Sequence, residues 1–200
     1  TGFHFVQKLD STGNFVWATA IETSSIQDAN TSITVDNSGN VYVAGEFENT
    51  VDFDSGIGIA NVTSNGSGDA FVTKIDPNGN FVWVKAFGGA NDDYATSVAV
   101  DALSNVYITG SFRETVDFDS SSDIAEYSSA GGNDIFVLKL NSDGNFVWVN
   151  TMGGDTSEFE YGAGIALDNS GNVYVAGTVH SSVDINPGPG THYSNATGAF

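Results

Sequence analysis

The string Phe-Val-x-Lys, a short turn and then Asn-Phe-Val-Trp occurs three times in the chain, anchored at Lys8, Lys74 and Lys139 and at Trp17, Trp83 and Trp148. Successive copies therefore lie 66 and 65 residues apart. The rest of the unit keeps step: Tyr42, Tyr107 and Tyr174 sit in runs such as VYVAG, followed by Asp52, Asp117 and Asp184. A chain that copies itself at a fixed spacing folds as packed copies of one supersecondary unit, because a single copy cannot bury its apolar face alone. Phe5, Phe71, Phe136 and Phe200 are equivalent, so residues 1–200 read as a single repeat region with units near 5–70, 71–135 and 136–200.

Within a unit the apolar pattern is that of strands, and helical periodicity is absent. In the middle copy, Ala95 to Asp101 with Asn105 to Phe112 reads as one hairpin, and Ala70 to Asp76 with Asn80 to Phe87 as another. The turns repeat a chemistry, as in Asp36 to Asn40, Asp76 to Asn80 and Asp168 to Asn172. An Asp or Asn side chain accepts a backbone N–H two residues on, and Gly at the fourth position supplies positive φ without steric cost. Ser104 replaces that Gly in one copy, which predicts a strained left-handed residue or a rebuilt turn. In the run from Phe81 to Phe87, Phe81, Trp83 and Phe87 alternate with Val82, Val84 and Ala86, so both faces of this strand are expected to be covered. Runs such as ATSVAVD and TSITVD carry small alternates suited to a crowded inner strand. The architecture that satisfies all of this is an all-β β-propeller segment of about three four-stranded blades in an incomplete ring.

The residues also carry a family resemblance. NFVWVKAFGG, YATSVAVD, NVYITGSF, VDFD and GGNDIFVLKL in succession resemble the SBBP repeat of bacterial β-propeller proteins, over essentially the whole chain. The resemblance implies a secreted or surface-exposed bacterial propeller, a module of a larger protein, and no single activity. The period exceeds the 40 to 50 residues typical of WD40 and kelch blades, which places an insertion at Val116 to Asn133, between the two hairpins. Propellers have about four to eight blades, so three units are expected either to be an excerpt or to associate with further copies into a ring or stack. The start at Thr1, without Met, fits a mature or excised segment.

Charge narrows the partners. With 25 Asp and Glu against 5 Lys and Arg, net −20, the chain is unsuited to nucleic acid or an anionic membrane. No apolar stretch approaches the roughly 18 residues of a membrane helix, and membrane insertion is not expected. Protein or glycan ligands, further blades of the same protein, or a second copy remain. Cys is absent, which removes disulfides and thiolate chemistry.

Fifteen of the 25 acids recur at equivalent positions, among them Asp28, Asp93 and Glu160, which points to architecture. The most chemical of them form the VDFD motif: Asp52 with Asp54, Asp117 with Asp119, and Asp184 with Asn186. Two carboxylates on one strand face could seat Ca²⁺, which takes about six to eight oxygens, with loop carbonyls or Asp69 completing the shell. The competing reading has them capping turns and pairing with the recurring Lys8, Lys74 and Lys139, and no cofactor is then required. His4, His180 and His192 are non-equivalent, and neither HExxH nor a Ser-His-Asp order is recognisable. No catalytic residue is assigned. Non-repeating acids such as Asp92 and Glu158 are where a polysaccharide hydrolase or lyase would have to be built. The Trp residues are expected in the core, and sugar contacts on loop aromatics that differ between blades, such as Tyr127, Phe159 and Tyr193. The position held by Glu48, Arg113 and His180 changes sign between copies and reads as a solvated face. The expected function is a non-catalytic extracellular or cell-surface module, an adhesion scaffold or spacer. A propeller hydrolase or lyase and a self-assembling ring or filament unit are the alternatives.

Overall fold

A computed structural model describes residues 2–23, 31–155, 157–180, 182–186, 188 and 192–195. Asp28 and Phe200 lie outside the described residues. Every regular element among those described is a strand: β1 (Gly2–Leu9), β2 (Phe15–Thr23), β3 (Ser32–Val35), β4 (Val41–Asp52), β5 (Asn61–Ile75), β6 (Phe81–Phe87) and β7 (Tyr94–Val100). The second half holds β8 (Val106–Asp117), β9 (Glu126–Leu140), β10 (Phe146–Met152), β11 (Tyr161–Leu167), β12 (Val173–Thr178), β13 (Ser182–Asp184) and β14 (Tyr193–Asn195). Two four-stranded antiparallel meanders result, β3-β4-β5-β6 and β7-β8-β9-β10. Before them stands the pair β1-β2, equivalent to β5-β6, and after them the pair β11-β12, equivalent to β3-β4. A four-stranded sheet thus runs from an inner hairpin to the outer hairpin that follows it, and units counted from Phe5 straddle two sheets.

The turns form as their chemistry requires. Asp36 N donates to Asn40 O and Gly39 N to Asp36 O, both at 3.0 Å, and Gly39 takes φ +84°. Ser104 adopts φ +61° in an otherwise unchanged turn, so the strain is borne rather than avoided. Its hydroxyl donates to Asp36 Oδ2 of the neighbouring blade at 2.9 Å, a contact that Gly could not make.

The core lies between sheets. One cluster joins Tyr42, Ala44, Val72 and Phe87 of the first blade to Val98, Ile108, Phe118, Phe136 and Leu138 of the second. Another joins Val6 and Ile21 of β1-β2 to Val43, Phe47, Phe53 and Phe71. The strands covered on both faces are the middle ones, with Val41 to Gly45 and Val106 to Gly110 continuously buried. The outer strands are not: Val82 and Val147 are each 46% exposed, because one face of the rim strand meets solvent. Inner strands β3, β7 and β11 pack in succession. They share a repeated bond, Val98 N to Ser32 Oγ and Ile165 N to Ser97 Oγ, each 3.2 Å.

Outer hairpins lock onto the turn of the next blade. Lys8 Nζ and Trp17 Nε1 both donate to Pro77 O, at 3.1 and 3.0 Å, and Lys74 Nζ donates to Ser142 O at 3.3 Å. The Trp residues are therefore half-buried wedges between blades. The carboxylate partners expected for the Lys residues are replaced by these carbonyls and by the faces of Tyr42 under Lys74 and Tyr107 under Lys139. A cation among carbonyl dipoles and π faces needs no buried counter-charge.

The inserted segment is no separate loop. Past a bulge at Arg113/Thr115 the strands β8 and β9 continue as a two-stranded arm, with Thr115 opposite Ser128 and Asp117 opposite Glu126. The first blade repeats this from Glu48/Thr50 onwards. Asn49 and Glu114 take φ +59° at the bulges, and their amides donate to Ser64 Oγ and Ser129 Oγ at 2.9 Å. Each arm leans on the preceding blade: Phe118 stands 5.9 Å from Phe87, and Gly153 bridges Asp184 in the third arm, β13-β14. The extra length of the repeat is spent on clasping neighbours.

Candidate functional site

The VDFD acids begin the arm tips. Asp52 Oδ1 accepts the amides of Asp54 (3.0 Å) and Ala60 (2.8 Å), and Asp54 Oδ1 accepts that of Gly56 (2.8 Å). Asp117 and Asp119 do the same with Asp119, Ala125 and Ser121, and Asp184 and Asn186 with Asn186, His192 and Gly188. Backbone N–H groups thus converge on the oxygens considered for Ca²⁺. Among the described residues no group of three or more His, Asp and Glu gathers to hold a metal. Asp69, considered as a further ligand, sits instead at a blade junction.

At the axial end, the turns of the inner hairpins border a cleft of about 430 Å³ lined by Asp36, Asp101, Leu103 and Asp168. Burial pushes Asp36 up, but hydrogen bonds from Asn40, Ser104 and Tyr42 outweigh it and bring the carboxyl down to about 2. Asp101 and Asp168 are held low by the same Asn and Tyr pattern, although burial opposes it most at Asp101. Hydrogen bonds that favour the ionised carboxylates fix these turns.

The junctions hold acids of the opposite kind. Asp69 and Asp93 are each 1% exposed. Asp93 accepts the Gly89 amide on Oδ2 (2.8 Å) and the Arg113 amide on Oδ1 (2.9 Å), while Asp69 Oδ2 accepts the Asn65 amide (3.1 Å) and its Oδ1 finds no partner among the described residues. Burial raises Asp69 to about 6, and burial together with the nearby Asp69 and Asp92 charges raises Asp93 to about 7. The next junction repeats the arrangement with Asp134 and Glu160: both are raised by burial, and Glu160 also by the Asp134 charge. A Cβ at Gly88 would lie 2.3 Å from Asp69, and one at Gly153 1.9 Å from Asp134, which is why Gly follows the outer strand in both copies. The sequence signal was there in the Phe-Gly-Gly and Met-Gly-Gly steps, but which acid they accommodate is decided by strand pairing.

Above the Asp134–Glu160 junction lies a small polar cleft of about 120 Å³ lined by Asp92, Tyr94, Arg113, Asn133, Phe159 and Tyr161. The Phe159 and Tyr161 rings lie 6.5 Å apart and 25° from parallel, each roughly two-fifths exposed. His180 Nδ1 lies 2.8 Å from Phe159 O, and Glu160 N donates to Asn133 O at 3.0 Å, which ties β11's approach to β9. Arg113, expected on a merely solvated face, borders this cleft. Of the loop aromatics singled out, Phe159 is at the cleft, Tyr127 packs against Phe118 on its arm, and Tyr193 is exposed on β14. Tyr161 was not foreseen, because its equivalent Tyr94 reads as an ordinary repeat position.

The beta-propeller repeat family model named SBBP matches residues 16–46 and 82–111, in each case from an outer strand across the junction into the next inner hairpin. Two segments of the chain match SBBP beta-propeller repeats. The SBBP segments thus span the junction and not a single sheet, in keeping with walls shared between blades. Two curated proteins are similar. One is the uncharacterized WD repeat-containing protein L264 of Acanthamoeba polyphaga mimivirus, 28% identical over 185 residues, 81% of this chain and 13% of the relative. The other is the regulatory protein FlaEY of Caulobacter vibrioides, 27% identical over 138 residues, 69% of this chain and 14% of the relative. The chain spans less than one-sixth of the length of either relative.

Proposed function

We propose that this chain is a non-catalytic binding and scaffold segment of a β-propeller, set in a secreted or surface-exposed bacterial protein and presenting its loop faces to protein or glycan ligands. The observation that carries this reading is the use made of the recurring acids: in turns, arm tips and junctions alike they accept backbone amides or lie buried between blades. Their carboxyl groups are committed to architecture, and the residues that vary gather at the faces. A charge of −20 suits a soluble exterior in a salty medium, where screening limits self-repulsion. No cofactor is required on this reading.

The test incubates the purified chain with a panel of bacterial and plant polysaccharides and with cell-surface extract. Retention of a glycan or protein without new reducing ends or unsaturated products is the expected result. Turnover that survives repurification would contradict it.

A further inference from the structure

The face cleft lies where Asp92, Tyr94 and Arg113, beside the Asp69–Asp93 junction, meet Asn133, Phe159 and Tyr161 of the Asp134–Glu160 junction. At the preceding junction the equivalents of Arg113, Asn133, Phe159 and Tyr161 are Glu48, Gly68, Asp92 and Tyr94, so the cation, the amide and the second ring, Phe159, are peculiar to the later one, where they join a Tyr that the repeat keeps. Both junctions nevertheless share the buried acid pair and the same strand register. Architecture therefore asks for neither Arg113, Asn133 nor Phe159, and a feature that the repeat does not require is where a ligand can be met.

We infer that this cleft binds a neutral pyranose residue of a glycan, its ring stacked on Phe159 and Tyr161 and its hydroxyls bonded by Arg113, Asp92 and Asn133. This deepens the binding reading proposed above and rests on it. Near-parallel exposed rings present an apolar face to the C–H side of a sugar, and a Tyr adds a polar tip. Planar side chains supply what hydroxyls need: Arg donates through a fork, a carboxylate accepts through two oxygens, and an amide does both. The cleft is also preorganised. Asp92 Oδ1 accepts the Gly68 amide at 3.0 Å, Arg113 N is held by Asp93, and Asn133 O is held by Glu160 N. Its volume of about 120 Å³ seats part of one ring, which fits a terminal residue and not an extended chain. Neutrality follows from charge: the cleft holds Asp92 beside Arg113 above buried acids, in a protein of net −20, and an anionic sugar would meet repulsion.

The test is saturation-transfer NMR and titration of the intact chain with the methyl glycosides of glucose, galactose, mannose and N-acetylglucosamine, and with methyl glucuronide as charged control. At least one neutral glycoside is expected to bind, with affinity falling by about tenfold or more in Tyr161→Ala and Phe159→Ala, the loss of one stacked ring. Arg113→Met, at an exposed position, provides a third variant should an aromatic one unfold. Leu103→Ala, in the axial cleft, is expected to bind as the wild type does. Absence of saturation transfer at tens of millimolar glycoside, tighter binding of the glucuronide, or binding indifferent to all three cleft variants would overturn the inference. A protein retained at this face while no sugar binds would also overturn it, yet leave the binding-scaffold reading standing. Bound glycoside that is cleaved would instead overturn the non-catalytic reading while the sugar site survived.

Discussion

Two carboxyl groups buried in one blade junction should make this protein less stable at neutral pH than in mild acid. Asp69 and Asp93 have folded-state pKa values of about 6 and about 7 against an ordinary 3.8. An acid raised in the fold binds more protons folded than unfolded, so its contribution is fully present below about 3.8 and is lost as pH climbs through the folded values. Each tenfold difference in proton affinity is about 1.4 kcal/mol. The Asp69 charge is itself among the causes raising Asp93, so the two titrate as a coupled pair, and together they lose on the order of 6 kcal/mol between about pH 4 and pH 7.5. The turn acids work the other way. Asp36, at about 2, and the lowered Asp76, Asp101 and Asp168 contribute above their unfolded pKa and lose that contribution as pH falls further. Stability should therefore peak at about pH 4 to 5. Urea unfolding across this range measures it, with Asp69→Asn as the diagnostic variant: Asn keeps an acceptor for the Asn65 amide and removes the buried charge. The variant should match wild type in mild acid, exceed it at neutral pH, and flatten the slope. Repetition at high salt separates the buried pair from the general repulsion of a −20 chain, since only the latter is screened strongly. A wild-type slope that vanishes in salt, or one unchanged in Asp69→Asn, would refute the reasoning.

Three further outcomes follow from the contacts between blades. Phe118→Ala empties the centre of the ring cluster with Phe87, Phe112 and Phe136 and should cost about 3 to 5 kcal/mol in urea unfolding. Gly79→Ala sets a Cβ at φ +91° and 2.9 Å from the Trp17 ring, so it should destabilise by more than the about 1 kcal/mol of conformational strain alone and shift Trp fluorescence to the red. Addition of millimolar Ca²⁺ should leave the melting temperature unchanged, because amides already occupy Asp52 Oδ1, Asp54 Oδ1 and their copies; a rise that Asp52→Asn abolishes would show the arm tips taking the ion.

What could be read before the structure was local or repeated. The turns are legible because Asp, Gly and Asn each do one thing within five residues; the small residues of the inner strands fit the succession β3, β7, β11, but not full crowding, since Ile33 and Val35 stay exposed. The outer strand misled, since alternation shows that Val82 is apolar but not that its neighbour is solvent. Charge alone points Lys74 to a carboxylate, whereas its partners are a carbonyl 68 residues away and a ring on the preceding strand. The sequence marks where the insertion falls along the chain but not that it is strand, because a bulge at a non-Gly residue with positive φ leaves no clear mark. Asp69 and Asp93 meet only when the middle of β5 lies beside the entry to β7, where Asp93 N donates to Gly68 O, a contact that no local window contains.

If neighbouring sheets share buried walls, they must open together. Amide hydrogen exchange, read residue by residue, tests this most directly. Phe71 to Thr73 of one blade and Phe136 to Leu138 of the next should exchange only through a common global opening, with equal free energies and equal response to urea. Val98 and Ile165, whose amides are bonded to Ser hydroxyls of the preceding inner strand, should be protected with them. Separate opening energies for 32–87 and 94–152, each with its own urea dependence, would show independent sheets and contradict the account.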